Sequence, residues 1–283
     1  MKDFVFFGGK AIGNYVLKQL LDDCFIPKAI VYYRDHLDSE LLNRAHENGV
    51  LLLPINFFRK ELDQVHEFIN TQNPDFFVSV AFQFILPKKI LDLVKWPINI
   101  HTGAIPKYRG HHPLAAAFLN DEPYQATTIH LMSEEVDAGK ILLQDFVSVT
   151  NEDDMVTVRQ KLMELSYKLL VTVIHQLKSN CIYPKEQIGD IIWAPKRTPE
   201  DSKIDFNNKS RFLHNFVRTL VDPYPNAFAY REDDLIKIKR SIGSNTPGKI
   251  LKKLNDREYI ISTQDGILWI EIDKRLKEGD VLK

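Results

Sequence analysis

Cysteine is scarce in this chain: Cys24 and Cys181 are the two among 283 residues, too few and too far apart for a disulfide framework or a zinc knuckle. No His-Glu-x-x-His pattern occurs either, so no metal is expected, and reduced cytoplasmic thiols are the default. An excess of charge is also lacking. The 37 Lys and Arg against 38 Asp and Glu leave a formal charge of −1, without the basic footprint of a protein that neutralises many phosphates, so no nucleic-acid partner is expected. No apolar run approaches membrane-spanning length, and Met1-Lys2-Asp3-Phe4 leads into a short strand rather than a signal peptide's apolar stretch. Internal repeats and low-complexity tracts are absent.

What is present is enough apolar residue, 44%, for one substantial core and a small second domain. Apolar runs alternate with amphipathic stretches: strands over 4–7, 29–33, 50–53 and 76–80, with helices over 12–21, 39–48 and 61–70 between them. That alternation predicts an α/β, Rossmann-like, mostly parallel sheet with helices on both faces. Strands over 96–101, 127–132 and 140–149 follow, then a long helix over about 153–178, with Val156, Leu162, Leu165, Leu169, Val173 and Leu177 near helical spacing as core contacts.

Pro184, Pro195 and Pro199 interrupt regular structure, which places a boundary near residue 200. The expected domains are 1–200, carrying the chemistry, and 201–283, a helix over about 209–220 followed by a small β-rich, OB-like unit. Its strands are expected over 227–230, 236–239, 248–254, 258–263 and 267–272, with turns at Asn245, Asn255-Asp256 and Asp265-Gly266. A structural or docking role suits that unit, and its edge suits a homodimer.

Chemistry concentrates between residues 96 and 141. Asn99 and His101 stand two apart on a short strand, so their side chains share one face, and Gly103 and Pro106 put His101 at the strand's carboxyl end, where α/β sheets bind ligands. Asp137, beside Gly139 on a later turn, can reach the imidazole, fix its tautomer and raise its pKa; the Asn can donate to an oxyanion. A buried structural histidine and an ordinary Asp-Gly turn would leave the same marks. Gly8-Gly9-Lys10-Ala11-Ile12-Gly13 ends the first strand in an anion-compatible turn, but its spacing is not Gly-x-Gly-x-x-Gly, and a tight strand-to-helix turn explains it equally well.

The ordered set Ile98-Asn99-Ile100-His101, Pro106-Lys107-Tyr108-Arg109-Gly110, and His130-Leu131-Met132 followed by Asp137-Ala138-Gly139-Lys140-Ile141 resembles the folate-dependent formyltransferases. The resemblance extends through Ala81-Phe82-Gln83-Phe84-Ile85-Leu86-Pro87, Arg197-Thr198-Pro199-Glu200-Asp201-Ser202 and Asp222-Pro223-Tyr224-Pro225-Asn226-Ala227-Phe228, covering roughly residues 1–230 and the tail more weakly. It implies a catalytic triad of Asn99, His101 and Asp137, and 10-formyltetrahydrofolate as donor. The pterin would lie between Phe82, Phe84, Ile85 and Leu86 on one side and Val136, Ala138 and Gly139 on the other, held mainly by backbone groups. Phe82 and Phe84 read equally as core aromatics.

On the acceptor side the resemblance implies Gly9, Lys10, Thr102, Gly103, Tyr108, Arg109 and Gly110, with Lys10 meeting a phosphate and Arg109 either contacting an acidic group or bracing the catalytic loop. The family often has Ser where this chain has Gly103, which leaves a side-chain contact there open. Members acting on methionyl-tRNA usually carry a basic, glycine-rich insertion after the second strand and a longer, basic carboxyl domain. Here Arg34-Asp35-His36-Leu37-Asp38-Ser39-Glu40 is short and mixed in charge, so the sequence looks more like the sugar N-formyltransferases, whose acceptor is a dTDP-, UDP- or GDP-linked amino-deoxysugar for surface polysaccharide. Methionyl-tRNA formyltransferase is the alternative, and a non-catalytic folate-binding or interaction module the alternative of another class.

Overall fold

A computed structural model describes residues 3–34, 36–56, 59–242, 250–264, 267–278 and 280–282. In chain order its elements are β1 (Phe4–Gly8), α1 (Lys10–Asp22), β2 (Ala29–Tyr33), α2 (Ser39–Glu47), β3 (Leu51–Ile55), α3 (Arg59–Gln72), β4 (Phe76–Val80), α4 (Lys88–Leu91), β5 (Trp96–His101), β6 (Tyr108–Gly110), α5 (Pro113–Leu119), β7 (Tyr124–Leu131), β8 (Ile141–Ser148), α6 (Met155–Lys178), β9 (Ile192–Ala194), α7 (Ser210–Arg218), β10 (Ala227–Arg231), β11 (Asp234–Ile242), β12 (Ile250–Lys253), β13 (Glu258–Ser262) and β14 (Ile267–Ile272). The expected turns at Asn245 and Asp265-Gly266, and the first two residues of the strand expected over 248–254, lie outside the described residues.

Packing divides the chain into two compact units, one of residues 1–110, 126–147 and 161–193, the other of 111–125, 148–160 and 194–283. These units are discontinuous along the chain, whereas the expected domains are two continuous segments.

The first unit is organised by a sheet of order β3-β2-β1-β4-β5-β7-β8. Strands β3 to β5 pair in parallel, and β7 runs antiparallel to β5. Alternation along the strands separates its two cores. Phe4, Phe6, Ile30, Tyr32, Phe76, Val78, Ile98 and Ile100 pack with Val16, Leu17 and Leu20 of α1, Leu41 and Ala45 of α2, and Leu169 to Leu177 of α6. Val5, Phe7, Val31, Tyr33 and Phe77 pack on the other face with Leu62, Val65 and Ile69 of α3 and Ile90 and Leu91 of α4. The α/β class with helices on both faces is therefore as expected.

Local chemistry sets the helix ends. Asp38 accepts the N–H groups of Glu40 and Leu41, opening α2. Asp154 accepts those of Val156 and Thr157, so α6 starts at Met155 rather than at Asp153. The short helices α4 and α5 and the ribbon of β6 with β9 have no counterpart in the sequence pattern, being too short for a period to show.

In the second unit, β10-β11-β14-β13-β12 form an antiparallel sheet. Ala227, Ala229, Ile236, Ile238, Tyr259, Ile261, Leu268 and Ile270 pack with Leu213, Phe216 and Val217 of α7. Among the described residues no helix is long and apolar enough to cross a membrane.

Candidate active site

Strand order reverses between β1 and β4, and their carboxyl ends carry the Gly9-Lys10 turn and the 81–86 loop; His101 ends β5 on the same edge. Ile98 and Ile100 enter the α1 and α6 core, so the alternating Asn99 and His101 point to the opposite face. Antiparallel pairing sets His130 opposite Asn99 and Thr128 opposite His101. Cross-strand partners share a face, and the polar groups bond accordingly.

Asn99 Nδ2 lies 3.0 Å from His130 Nε2, and His130 Nδ1 lies 2.8 Å from the Leu131 carbonyl oxygen. Because a carbonyl only accepts, Nδ1 carries a proton, and in the neutral ring Nε2 accepts one Asn99 N–H, leaving the second Asn99 N–H for another acceptor. Asp137 Oδ1 is 3.4 Å from the same His130 nitrogen.

The buried His101 donates from Nε2 to the Tyr108 carbonyl at 2.6 Å. Its other nitrogen, Nδ1, lies 3.4 Å from Asp137 Oδ2. The tautomer is therefore set by Tyr108 and not, as the sequence suggests, by Asp137, which faces the nitrogen that can take a proton. Burial lowers the His101 pKa, and His130 adds to that; Asp137 and the Tyr108 carbonyl oppose them without prevailing. Asp137 thus raises the pKa as expected, but burial prevails and the net shift is downward, which favours the free base. For Asp137, burial alone would raise the pKa, but the contact with His130, the charge that His101 carries once protonated, and the Gly110 N–H, 3.0 Å from Oδ2, outweigh it and hold the carboxyl at about 2.

Asp137 has φ +53°, a left-handed conformation that few non-glycine residues adopt. A Cβ on the neighbouring Gly139 would fall onto the Leu131 carbonyl, so only glycine fits that turn.

The buried Arg109 donates to Glu135 Oε1 at 2.8 Å and to Gln187 Oε1 at 3.1 and 2.8 Å, bonds that tie its strand to both segments. Tyr108 contributes its carbonyl, its ring being buried. The Gly103 carbonyl accepts from Thr128, in turn bonded by Gln144, while Thr102 is half-buried beside them.

The 81–86 loop divides its side chains. Phe82 packs on Phe7 and stacks on Tyr33, and Leu86 is in the core. Phe84 is partly buried, whereas Ile85 and Val136 are exposed. At the Gly9-Lys10 turn, the Lys10 N–H donates to the His36 carbonyl and the Lys10 side chain is exposed. Among the described residues no group of three His, Cys, Asp or Glu side chains could hold a metal ion.

Two contributors escape the sequence reading. His130 is visible there as a motif letter, and its role follows only from the β5-β7 register. Gln187 lies in an irregular stretch with no periodic or motif signal.

The formyl transferase family model matches residues 42–174, and the model of the formyl transferase C-terminal domain matches 196–279. Methionyl-tRNA formyltransferase of Thermodesulfovibrio yellowstonii is 37% identical over 206 residues, 71% of this chain and 66% of that protein. Two further methionyl-tRNA formyltransferases are 31% and 30% identical with 73% and 77% of their length covered. The chain belongs to the formyl transferase family.

This formyl transferase spans just under two thirds of the Thermodesulfovibrio protein's length and 47% of that of HypX from Aquifex aeolicus, whose fold it shares at TM-score 0.66 and 19% identity over 98% of the chain. The fold also matches an N-formyltransferase from Helicobacter canadensis in complex with folinic acid and dTDP-3-aminofucose: TM-score 0.71, 21% identity, 98% of this chain and all of that one.

Proposed function

We propose that this formyl transferase moves the formyl group of 10-formyltetrahydrofolate to the amino group of a nucleotide-linked amino-deoxysugar. The observation that carries the reaction is the pairing of a free-base His101 Nδ1 with an ionised Asp137 beside an Asn99 amide that keeps one N–H to give. The exposed apolar surface of Ile85 and Val136 and the backbone of the Asp137 turn fit the flat ring of a folate. When bound, the folate supplies the electrophilic formyl carbon.

A carbon–nitrogen bond forms to the amine as the bond to the folate nitrogen breaks. His101 Nδ1 takes the proton that the attacking amine sheds and returns it to the departing nitrogen. Asp137 compensates the imidazolium charge. Asn99 donates to the formyl oxygen as negative charge gathers there, an interaction worth on the order of 3 kcal/mol at the transition state.

The acceptor reading is supported by the link between β2 and α2. That link ends in the Asp38 cap, and the His36 carbonyl is bonded to Lys10, which leaves no basic insertion in the place where tRNA-directed members usually have one. The Helicobacter canadensis structure, covered end to end, is consistent with it. The 37% identity to a methionyl-tRNA formyltransferase favours a second reading, charged initiator tRNA as acceptor. On either reading the chemistry belongs to residues 1–200, and 201–283 serve docking or dimerisation.

The test is tetrahydrofolate release from 10-formyltetrahydrofolate with dTDP-, UDP- and GDP-linked aminosugars and with methionyl-tRNA, beside sedimentation for the dimer. Turnover with a nucleotide sugar alone is expected. Turnover with methionyl-tRNA alone overturns the acceptor, and folate binding without any turnover overturns the enzyme.

A further inference from the structure

Asp137 needs support: its backbone is left-handed, and Gly139, two residues on, is pressed against the Leu131 carbonyl. A single side chain from a distant part of the chain spans that turn. Gln187 Nε2 donates to the carbonyl oxygen of Asp137 at 2.8 Å and to that of Gly139 at 2.7 Å.

The amide cannot be reversed. Its Oε1 accepts from Arg109 Nε at 3.1 Å and Nη2 at 2.8 Å, and exchanging oxygen for nitrogen would set donors against Arg109 and an acceptor against two carbonyls. Arg109 is buried and reaches with Nη1 to Glu135, on the same loop. Gln187 itself is located by the paired hydrogen bonds between Ile141 and Lys185, both 2.8 Å. Its neighbours Glu186 and Ile188 are exposed, so it is the half-buried residue of an otherwise solvent-facing run. Loss of both carbonyl bonds would free the turn while leaving the sheet and its two cores untouched.

We infer that Gln187 is a positioning residue of the active site: its amide, oriented by Arg109, cross-links the Asp137 and Gly139 carbonyls and so holds the Asp137 carboxylate against His101 Nδ1 and the turn's backbone in the shape that receives the folate. The inference rests on the reading of Asp137 and His101 given above.

Two variants separate the amide's parts. Gln187→Ala removes everything. Gln187→Glu keeps the length and the partner for Arg109 but turns a carboxylate towards two carbonyl oxygens, so it fails if the donated bonds matter. The readouts are the NMR titration of the His101 ring, which among ionisable groups faces Asp137 and His130, and calorimetric affinity for 5-formyltetrahydrofolate, with Asp137→Ala alongside. Both Gln187 variants are expected to move the His101 pKa downward, the direction of Asp137→Ala, and to weaken folate binding about tenfold, the loss of two modest hydrogen bonds, with thermal melting near that of the parent. An unmoved His101 titration and parent-like affinity in both variants, while Asp137→Ala shifts the ring, overturns the inference. Normal behaviour of Gln187→Glu beside a defective Gln187→Ala also overturns it, assigning the role to Arg109 alone. If Asp137→Ala itself leaves His101 unmoved, the underlying reading of the site fails instead. Should Gln187→Ala fail to fold, the near-isosteric Gln187→Glu decides.

Discussion

Strands β4 and β5 lie side by side in register, Ser79 opposite Asn99, and are built to different ends. Every residue of β4 is buried, with Phe76, Val78 and Val80 feeding one core and Phe77 the other. Strand β5 keeps the first contribution through Ile98 and Ile100 but gives the second face to Asn99 and His101. Apolar packing lost on that face is replaced by hydrogen bonds to His130 and to the Tyr108 carbonyl. A polar pair of this kind, His101 buried and Asn99 half-buried, adds little net stability, since each bond only replaces one to water, but it fixes direction. One strand fills two cores, and its neighbour fixes the directions of Asn99 and His101.

The sharpest way to test that division is to truncate on each strand. His101→Ala is expected to cut formyl transfer by about 10²–10⁴-fold, the usual contribution of a positioned base, with melting near that of the parent. Phe77→Ala, whose ring sits edge-on to Phe7 at 5.2 Å between centroids, is expected to cost about 3–5 kcal/mol of stability. Denaturant titration and steady-state rates on the same pair check this. If His101→Ala destabilises as much as Phe77→Ala, the contrast between the strands is wrong.

A second experiment probes the Asp137 side of the same pair. The base must be unprotonated, so kcat/KM should rise with pH through the His101 pKa of the free enzyme, which burial places below the ordinary histidine value. Asp137 raises that pKa, so Asp137→Asn should lower the plateau and move the acid limb to lower pH. Stability follows its own window. The Asp137 pKa falls from 3.8 to about 2 on folding, so its contribution is complete above 3.8 and is lost as pH drops towards 2. A limb that moves to higher pH in Asp137→Asn would show that Asp137 does not stabilise the imidazolium.

Gly139→Ala comes next in size. The added methyl meets the Leu131 carbonyl, a backbone atom with nowhere to go, so the turn must open. The expected result is a fall in both melting temperature and folate affinity, measured by calorimetry on one sample. Parent-like folate binding would mean that the turn's shape is irrelevant to the donor.

These effects also mark what the sequence makes legible. The α/β layout shows because β1 and β2 are apolar runs, β4 is broken by Ser79 alone, and α1, α2 and α3 are long enough for a helical period. Asn99, His101 and Asp137 show as a motif. The direction of the His101 shift does not, because it depends on how deeply the ring is buried, and neither does the nitrogen facing Asp137, because Tyr108 fixes it through a carbonyl that every residue type possesses. His130 acts through cross-strand register, and Gln187 through a contact between positions far apart in sequence. Both kinds of information are absent from local spacing.

The smallest effect separates the two readings that the sequence leaves open for the 81–86 loop. Phe82 touches Phe7 and Tyr33, at 5.5 and 5.4 Å between ring centroids, and so belongs to the same core as Phe77. Ile85 is 60% exposed, an apolar side chain with no core to serve. Phe82→Ala is therefore expected to lower the melting temperature, and Ile85→Ala to leave it unchanged while weakening 5-formyltetrahydrofolate binding several-fold, as the loss of a partly covered aliphatic contact would. Because the exposed side chain gains its packing only when the ligand arrives, the two substitutions should dissociate stability from binding within three residues of each other. Equal loss of melting temperature in both would place Ile85 in the core, and unchanged binding in Ile85→Ala would leave the donor to the loop's backbone.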